Sequence, residues 1–243
     1  MLTLSFVTGT EPEKWFHRFN ERTKDETLHT FSSDDPLESL LAAQDQLGLA
    51  KDQDIPSADL ALVRLPDARL DELGDHVHIV QLYAEQPGIA FSKEHTLSLY
   101  ETVSQEELAG EIINYRWLSG QKLDIAQIRT GLSVAAANVG VVLAPRPILK
   151  VLAKKEVVHR GFIGDSPESS IALVWYKDRD CAAIQDFVGI AKGRTANSSR
   201  QALPKRSARQ KTLDKQKRKA QQSTPRFAKA KNSQIGRRKK KRR

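Results

Sequence analysis

Residues 134–152, VAAANVGVVLAPRPILKVL, decide the fold because they combine several structural signals in a short space. An apolar helix ends near Ala136, and Asn138 and Gly140 then supply two residues that tolerate a positive φ. The apolar run at 141–144 predicts a short buried strand, closed by a proline. A second proline can start the next helix, where its missing N–H costs nothing. Helix, left-handed turn, buried strand and helix make a layered α/β unit rather than a bundle or a sandwich.

Strands and helices also alternate along the first part of the chain. Strands are predicted at residues 2–7, 28–31 and 58–64, and the third is apolar enough to be buried on both faces, as in a parallel sheet. Strand, helix, strand, helix, strand is the beginning of a doubly wound α/β fold.

Two helix starts carry capping signals. Thr10 followed by Glu13 predicts a capping box for the first helix. Asp124 followed by Gln127 predicts a cap for the helix that runs into the signature stretch.

The charge of the chain divides into two opposite parts. Residues 194–243 hold 20 Lys and Arg and one acidic residue, Asp214, which gives this segment a net charge of +19. The preceding 193 residues hold 19 basic and 29 acidic residues, a net charge of −10. We therefore expect an acidic globular part followed by a Lys/Arg-rich tail, disordered because it lacks the apolar residues for a core.

The basic tail has two interpretations. It is either a solubilising extension or a segment that binds a polyanion, most simply RNA or DNA without sequence preference, through release of counterions. Only Phe227 is aromatic in this segment, so we expect base stacking to contribute little to binding. An anionic membrane is a weaker alternative partner, because no amphipathic apolar face accompanies the charges. The residues predicted to contact nucleic acid are Lys205, Arg206, Lys215, Lys217, Arg218, Lys219, Arg237, Arg238, Lys239, Lys240, Lys241, Arg242 and Arg243.

Residues 134–152 resemble a signature found late in the effector-binding domain of LysR-type transcriptional regulators. The usual pattern is a Val-Ala-Ala-Gly start, an apolar-Gly-apolar middle and a closing Pro; here Asn138 stands at the first Gly, and Asn also tolerates the left-handed region. Residues 59–64, DLALVR, match the family's Asp-Leu-Ala-apolar-apolar-Arg strand, and residues 173–178, LVWYKD, resemble its end strand. These motifs follow one another in the family's order, and together they extend the resemblance over about residues 1–193.

The resemblance implies a two-lobed, periplasmic-binding-protein-like (type 2) fold, with two doubly wound sheets joined by a hinge and a solvent-filled cleft between them. Lobe one is expected at about residues 1–83 and 166–193, and lobe two at about 84–165. The second lobe is expected to be trimmed where the family normally has a longer segment. No winged helix-turn-helix precedes Leu2, so we expect no operator binding through that motif.

In an open doubly wound sheet, ligands bind beyond the carboxyl ends of the strands, near helix N-termini. With the resemblance, this predicts a small-molecule effector in the cleft, bound by threonine hydroxyls, by close backbone approach at Gly9, and by Arg64 as the counter-charge of an anion. Thr10 is equally explained as a helix cap, Arg64 as the partner of a surface carboxylate, and acidic residues at the same mouth oppose an anion. The predicted effector-binding residues are Thr8, Gly9, Thr10, Arg64, Gln86, Asp124 and Gln127.

Three classes of function remain open. The first is an effector-sensing protein with a role in transcription regulation, which acts through a homodimer, a heterodimer with a related regulator, or the basic tail. The second is an RNA- or DNA-binding accessory protein whose globular part is only a scaffold. The third is a hydrolase or lyase, but no nucleophile–base–acid set, phosphate loop or dinucleotide fingerprint stands out, so we expect neither an enzyme nor a cofactor.

The remaining composition bears on the compartment. The single cysteine, Cys181, cannot form an internal disulfide, which fits a reducing compartment. No apolar run approaches the roughly 20 residues of a membrane span, and the first residues lack the features of a signal peptide. His76, His78 and His95 lack metal-ligand spacing, so no metal site is expected. We expect a cytoplasmic protein with no membrane partner.

Overall fold

The computed structural model describes residues 1–23, 26–45 and 55–194, and the predicted nucleic-acid contacts of the tail lie outside these ranges. The helices are α1 Glu13–Arg22, α2 Pro36–Asp45, α3 Arg69–Leu73, α4 Ile125–Ala136, α5 Arg146–Leu152 and α6 Ala182–Ala191. The strands are β1 Leu2–Val7, β2 Leu28–Ser33, β3 Leu60–Leu65, β4 Val77–Glu85, β5 Pro87–Ser92, β6 Thr102–Ser104, β7 Ile113–Arg116, β8 Val141–Pro145, β9 Val157–Ile163 and β10 Ser169–Tyr176. Within these ranges, no helix combines the length and apolar character that spanning a membrane requires.

The strands form two five-stranded sheets, ordered β2-β1-β3-β10-β4 and β6-β9-β5-β8-β7. In the first sheet, β1 is parallel to β2 and β3, whereas β10 is antiparallel to β3 and β4. In the second, β5 is antiparallel to β8 and β9, and the short edge strands β6 and β7 are parallel to their neighbours. The chain crosses between the sheets at Gln86 and returns between β9 and β10. The two-lobed α/β fold predicted from the sequence is confirmed, with mixed sheets; we call the layers around the two sheets the first and the second lobe.

Both faces of each sheet are buried by apolar side chains. In the first lobe, α1 and α6 cover one face and α2 and α3 the other. In the second lobe, α4 and α5 cover one face, and the turns around β6 cover the other. Burial on two faces explains why β3 and β8 are almost continuously apolar rather than alternating.

The signature stretch folds as its sequence predicts. After α4 ends, Asn138 has a φ of 60° and Gly140 a φ of 65°, and the following strand β8 is buried along its whole length. A Cβ on Gly140 would lie 2.1 Å from the carbonyl oxygen of Ile112, so this position excludes every side chain. The turn therefore fixes how α4 enters β8 and how α4 lies against the second sheet.

The two predicted helix caps have different outcomes. Asp124 caps α4, because its Oδ1 accepts a hydrogen bond from the Gln127 N–H at 2.9 Å and its Oδ2 accepts one from Gln127 Nε2 at 2.8 Å. The capping box at Thr10 is wrong: α1 begins at Glu13 after Pro12, without a side-chain cap. The Thr10 hydroxyl instead donates to the Val7 carbonyl at 2.8 Å, closing the turn that follows β1.

Candidate functional site

The two lobes meet where the loops after β1, β2 and β3 face the starts of α4 and α5. Asp34, Asp35 and Arg64 of the first lobe share one small cavity with Trp117 and Lys122 of the second. These first-lobe loops follow the carboxyl ends of parallel strands, which is where a doubly wound sheet presents its ligand-binding groups. The interface between the lobes is therefore the candidate site.

A buried ion pair occupies the centre of this interface. Arg64 Nε lies 2.6 Å from Glu85 Oε2, and Arg64 Nη2 lies 3.0 Å from Glu85 Oε1, with both side chains almost fully buried. The same carboxylate accepts a hydrogen bond from the Ser169 hydroxyl, and Arg64 Nη2 donates to the Thr8 carbonyl at 3.2 Å. The guanidinium charge is thus neutralised inside the protein, so the role of Arg64 as counter-charge for an anionic effector stays a prediction.

The predicted residues after β1 make contacts within the protein. The Thr8 hydroxyl donates to Asp34 Oδ1, and the Thr10 hydroxyl is held by the turn. Gly9 has a φ of +98°, and a Cβ placed on it would lie 3.0 Å from Ile148 Cα in α5. The close backbone approach predicted at Gly9 is therefore an approach to the second lobe.

The other predicted residues lie apart from this group. Asp124 and Gln127 are joined to each other at the start of α4, where the Gln127 N–H lowers the pKa of the Asp124 carboxyl below its usual range. The Gln86 carbonyl, at the crossing between the sheets, accepts a hydrogen bond from the Arg146 N–H at 2.8 Å. Thr8, Gly9 and Arg64 are thus brought together, whereas no hydrogen bond in the described part of the chain links them to Asp124 or Gln127.

Among the described residues, three ion pairs connect the lobes. Asp34 pairs with Arg129 at 3.1 Å, Asp35 with Lys122 at 2.5 Å, and Glu11 with Lys150 at 2.7 Å. We call these three the inter-lobe ion pairs. In each case the acid belongs to the first lobe and the base to the second, so the facing rims carry opposite charge.

Asp35 is the most buried acid of these pairs. Burial opposes its ionised form, but hydrogen bonds from Arg69 and Lys122 outweigh burial and hold the pKa of its carboxyl below the usual range. Sequence reasoning missed this network and Glu85. The adjacent acids at the start of α2 were the available signal, since carboxylates are favoured at a helix N-terminus, but their partners lie far away in the sequence.

The space left between the lobes is small. One cavity of about 20 Å³ lies at the hinge beside Glu85 and Trp117, and another of about 30 Å³ lies beside Asp35 and Lys122. Such volumes hold one or two water molecules. The solvent-filled cleft expected from the sequence is therefore closed in this structure, because the inter-lobe ion pairs and the contact at Gly9 bring the lobes together.

Two larger, open spaces lie at the mouths of the interface. One, of about 630 Å³, is bounded by α3, the loop before it and residues 120–122. The other, of about 740 Å³, is bounded by the start of α1, the end of β4 and the start of α5. Among the described residues, no three His, Cys, Asp or Glu side chains are placed to hold a metal ion.

Comparisons with known proteins give the fold a name. No protein-family model and no curated protein matches the sequence. Among solved structures, the chain is similar to the effector-binding domain of a BenM variant (12% identity, TM-score 0.56, covering 78% of this chain and 92% of that one). It is also similar to a putative LysR-family transcriptional regulator from Pseudomonas aeruginosa, at 14% identity and a TM-score of 0.54, with 79% of this chain and 70% of that one covered. A third similar structure is full-length CbnR complexed with its target DNA, at 13% identity and a TM-score of 0.54, with 79% of this chain and 69% of that one covered. The chain has the two-lobed fold of the effector-binding domains of LysR-family regulators.

Proposed function

We propose that this chain senses a small-molecule effector bound between its lobes and acts in transcription regulation. Its fold is that of a domain which, in the BenM structure, is described as effector-binding, and which in CbnR is part of a protein bound to DNA. A homodimer or a heterodimer with a related regulator is the proposed route by which the signal leaves the domain.

The observation that carries this proposal is the nature of the contact between the lobes. The inter-lobe ion pairs are mostly exposed, and exposed pairs contribute only about 0–1 kcal/mol each. These ion pairs therefore contribute at most about 3 kcal/mol in total to closure, and each lobe has its own buried core. An effector that binds the open or partly open form better than the closed one shifts the population by its difference in affinity.

The effector-binding residues proposed for that state are those at the facing loops: Thr8, Gly9, Thr10, Arg64, Gln86, Asp124 and Gln127. When the lobes separate, the Thr8 and Asp34 side chains face a widened cleft, and the Gln127 amide on α4 faces them from the other side. Because Glu85 already neutralises Arg64, a neutral or zwitterionic effector fits this cleft better than a simple anion.

The test is a thermal-shift screen of the full chain against small metabolites, with hits measured by calorimetry. We expect at least one saturable binder, and we expect Thr8→Val to weaken it about tenfold by removing a hydroxyl at the cleft. Thr102→Val, an exposed threonine at the start of β6, is the matched control and should leave the affinity unchanged. A panel without any binder, or equal effects of both variants on every hit, would contradict an effector site at this place.

A second function is favoured by the charge of residues 194–243. A net charge of +19 with a single acid is suited to non-specific contact with DNA or RNA, whose binding weakens steeply with salt. Deleting residues 195–243 should abolish retention on DNA or RNA at low salt, and the deleted chain should melt at the same temperature as the full chain. Unchanged retention would exclude the tail as the contact.

The alternative to effector sensing is an RNA- or DNA-binding accessory protein whose globular part is a scaffold. The small central cavities favour it, since their volumes leave room only for one or two water molecules. Retention that depends on the tail, combined with a screen that yields no binder, supports this alternative over the first proposal.

A further inference from the structure

The open space beside α1 and α5 has the features of a ligand site separate from the central cavities. We call it the hinge groove and define it by Trp15 and Tyr83 of the first lobe and by Arg146, Lys150 and His159 of the second. Its volume of about 740 Å³ is within the range of small-molecule pockets, about 300–1,000 Å³. The groove therefore has room for a ligand while the lobes are closed.

One wall of the hinge groove is aromatic. The rings of Trp15 and Tyr83 lie 6.4 Å apart and are tilted by 57°, and Tyr83 is 39% exposed. Burial of part of the Tyr83 side chain raises the pKa of its hydroxyl to about 12, so the ring remains neutral at physiological pH. Trp15 is fixed by packing against the core of the first lobe. A flat apolar surface of this kind suits a planar ring.

The charges of the groove are unequally compensated. Its two acids already have partners, since Glu11 pairs with Lys150 and Glu85 with Arg64. Arg146 is exposed and forms no ion pair with any of the described residues. Its guanidinium is oriented by a 3.5 Å hydrogen bond from Nε to His159 Nδ1.

His159 does not add to this positive charge near neutral pH. Partial burial and the neighbouring Arg146 lower the pKa of the His159 ring, which keeps it neutral and able to accept the hydrogen bond. Two cations of the groove, Lys14 and Arg146, form no ion pair with any described residue. Of these two, only Arg146 carries a guanidinium, which matches a carboxylate with two parallel N–H donors.

We propose that the hinge groove binds a planar aromatic carboxylate, with the ring against Trp15 and Tyr83 and the carboxylate on Arg146. This site opens at the mouth of the interface and is separate from the two central cavities, although Gly9 and Gln86 of the proposed effector site also line it. The ring-binding residues belong to the first lobe and the arginine to the second, so a bound ligand connects the lobes and favours their closed arrangement.

The test uses 1-naphthoate and calorimetry on the full chain. We expect saturable binding in the millimolar range or tighter, as befits a ligand of this size. Two analogues separate ring from charge: 1-naphthalenemethanol lacks the carboxylate and cyclohexanecarboxylate lacks the aromatic ring, and each should bind about tenfold more weakly. The second analogue also measures attraction of any anion to the basic tail.

Matched variants locate the probe. Arg146→Ala should weaken 1-naphthoate about tenfold, and Arg146→Lys should weaken it less because the charge remains. Arg129→Ala removes the same charge at the central cleft. Because one exposed inter-lobe ion pair contributes only about 0–1 kcal/mol to closure, this variant should weaken binding at most about fivefold, less than Arg146→Ala does. Both positions carry exposed side chains, so each of the three variants should keep the circular-dichroism melting curve of the wild type.

Two results would overturn the hinge groove as a site. The first is the absence of saturable heat up to about 10 mM 1-naphthoate. The second is binding that is lost in Arg129→Ala but kept in Arg146→Ala, which would place the probe in the central cleft. That outcome would reject the hinge groove and support effector binding in the central cleft. The experiment therefore distinguishes failure of this inference from failure of the proposed function.

Discussion

At Arg64 and Glu85, two opposite charges are buried at the point where the first sheet approaches the second lobe. Breaking a buried pair leaves one charge uncompensated, which costs about 3–5 kcal/mol. We expect Glu85→Gln, which keeps the shape of the side chain, to lower the free energy of unfolding by about 3 kcal/mol in urea titrations. Glu72→Gln, an exposed acid in α3, should change it by less than about 0.5 kcal/mol. Similar losses for the two variants would show that the pair does not stabilise the fold.

Gly9 provides a second prediction at the scale of one residue. Its φ of +98° and its 3.0 Å approach to Ile148 Cα make Gly9→Ala costly twice, through backbone strain and through overpacking against α5. We expect a loss of about 3 kcal/mol in unfolding free energy. Gly110→Ala is the matched control, because Gly110 has a φ of +86° and open space around it, so only strain of about 1–2 kcal/mol applies. Equal losses would mean that the lobes do not touch at Gly9 in solution.

These residues also show what a sequence reveals at this scale. Asn138 and Gly140 were predictable because residues that tolerate a positive φ stood between a helix and a buried strand, which is a local signal. The burial of Glu85 in an ion pair was not predictable, because an acid at the end of an apolar strand is equally expected to be exposed to solvent. Only the fold brings Arg64, from a different strand, and Ser169, from near the end of the domain, against its carboxylate.

Among the elements, α4 depends on the cap that Asp124 supplies. Because the Gln127 N–H bonds the ionised carboxyl and lowers its pKa, the contribution is present above pH about 4, the usual value for an unfolded Asp. It is lost as the pH falls through the lowered pKa of the folded state. Asp124→Ala should reduce stability by about 1 kcal/mol at pH 7.

The pH dependence of this cap can be checked against a neutral substitute. Asp124→Asn retains a capping side chain without a charge, so the stability difference between wild type and Asp124→Asn should shrink on acidification. Urea titrations of both proteins from pH 7 to about pH 2.5 measure it. A difference that is constant over this range would contradict the cap as the origin of the lowered pKa.

Elements with strong local signals were predicted and the short ones were not. The Asp124 cap and the signature turn follow from neighbouring residues, and both are present. The five-residue helix α3 and the short edge strands β6 and β7 have too few residues for a period to be visible. The failed capping box at Thr10 has a local cause. The helix starts at Glu13, two residues later than predicted, with Pro12 before it, and the Thr10 hydroxyl donates to the Val7 carbonyl in the preceding turn.

At the scale of the whole molecule, the order of the motifs was sufficient to predict two lobes. It was not sufficient to predict how closely they approach. The contacts between the lobes include the inter-lobe ion pairs, whose partners are separated by 95, 87 and 139 residues in the sequence. A pattern of charges along one chain does not specify such pairings, so the expected open cleft and the observed closed one differ for a physical reason.

The closed arrangement should therefore depend on charge. The inter-lobe ion pairs are removed together in the combined variant Lys122→Ala, Arg129→Ala, Lys150→Ala. Each pair contributes about 0–1 kcal/mol, so losing all three shifts the ratio of closed to open forms by up to about 100-fold. We expect the radius of gyration from small-angle X-ray scattering to increase in this variant. The wild type should show the same increase when salt is raised from about 0.05 to 1 M, because exposed charges are then screened.

The control is the combined variant Lys93→Ala, Lys154→Ala, Lys177→Ala, which loses the same net charge without breaking any inter-lobe ion pair. Lys93 pairs with Glu156 of its own lobe, and Lys177 pairs with Asp75 of its own lobe. A change in the radius that is equal in the two variants would assign the effect to overall charge, including attraction to the basic tail, and would reject the ion pairs as the force that closes the lobes.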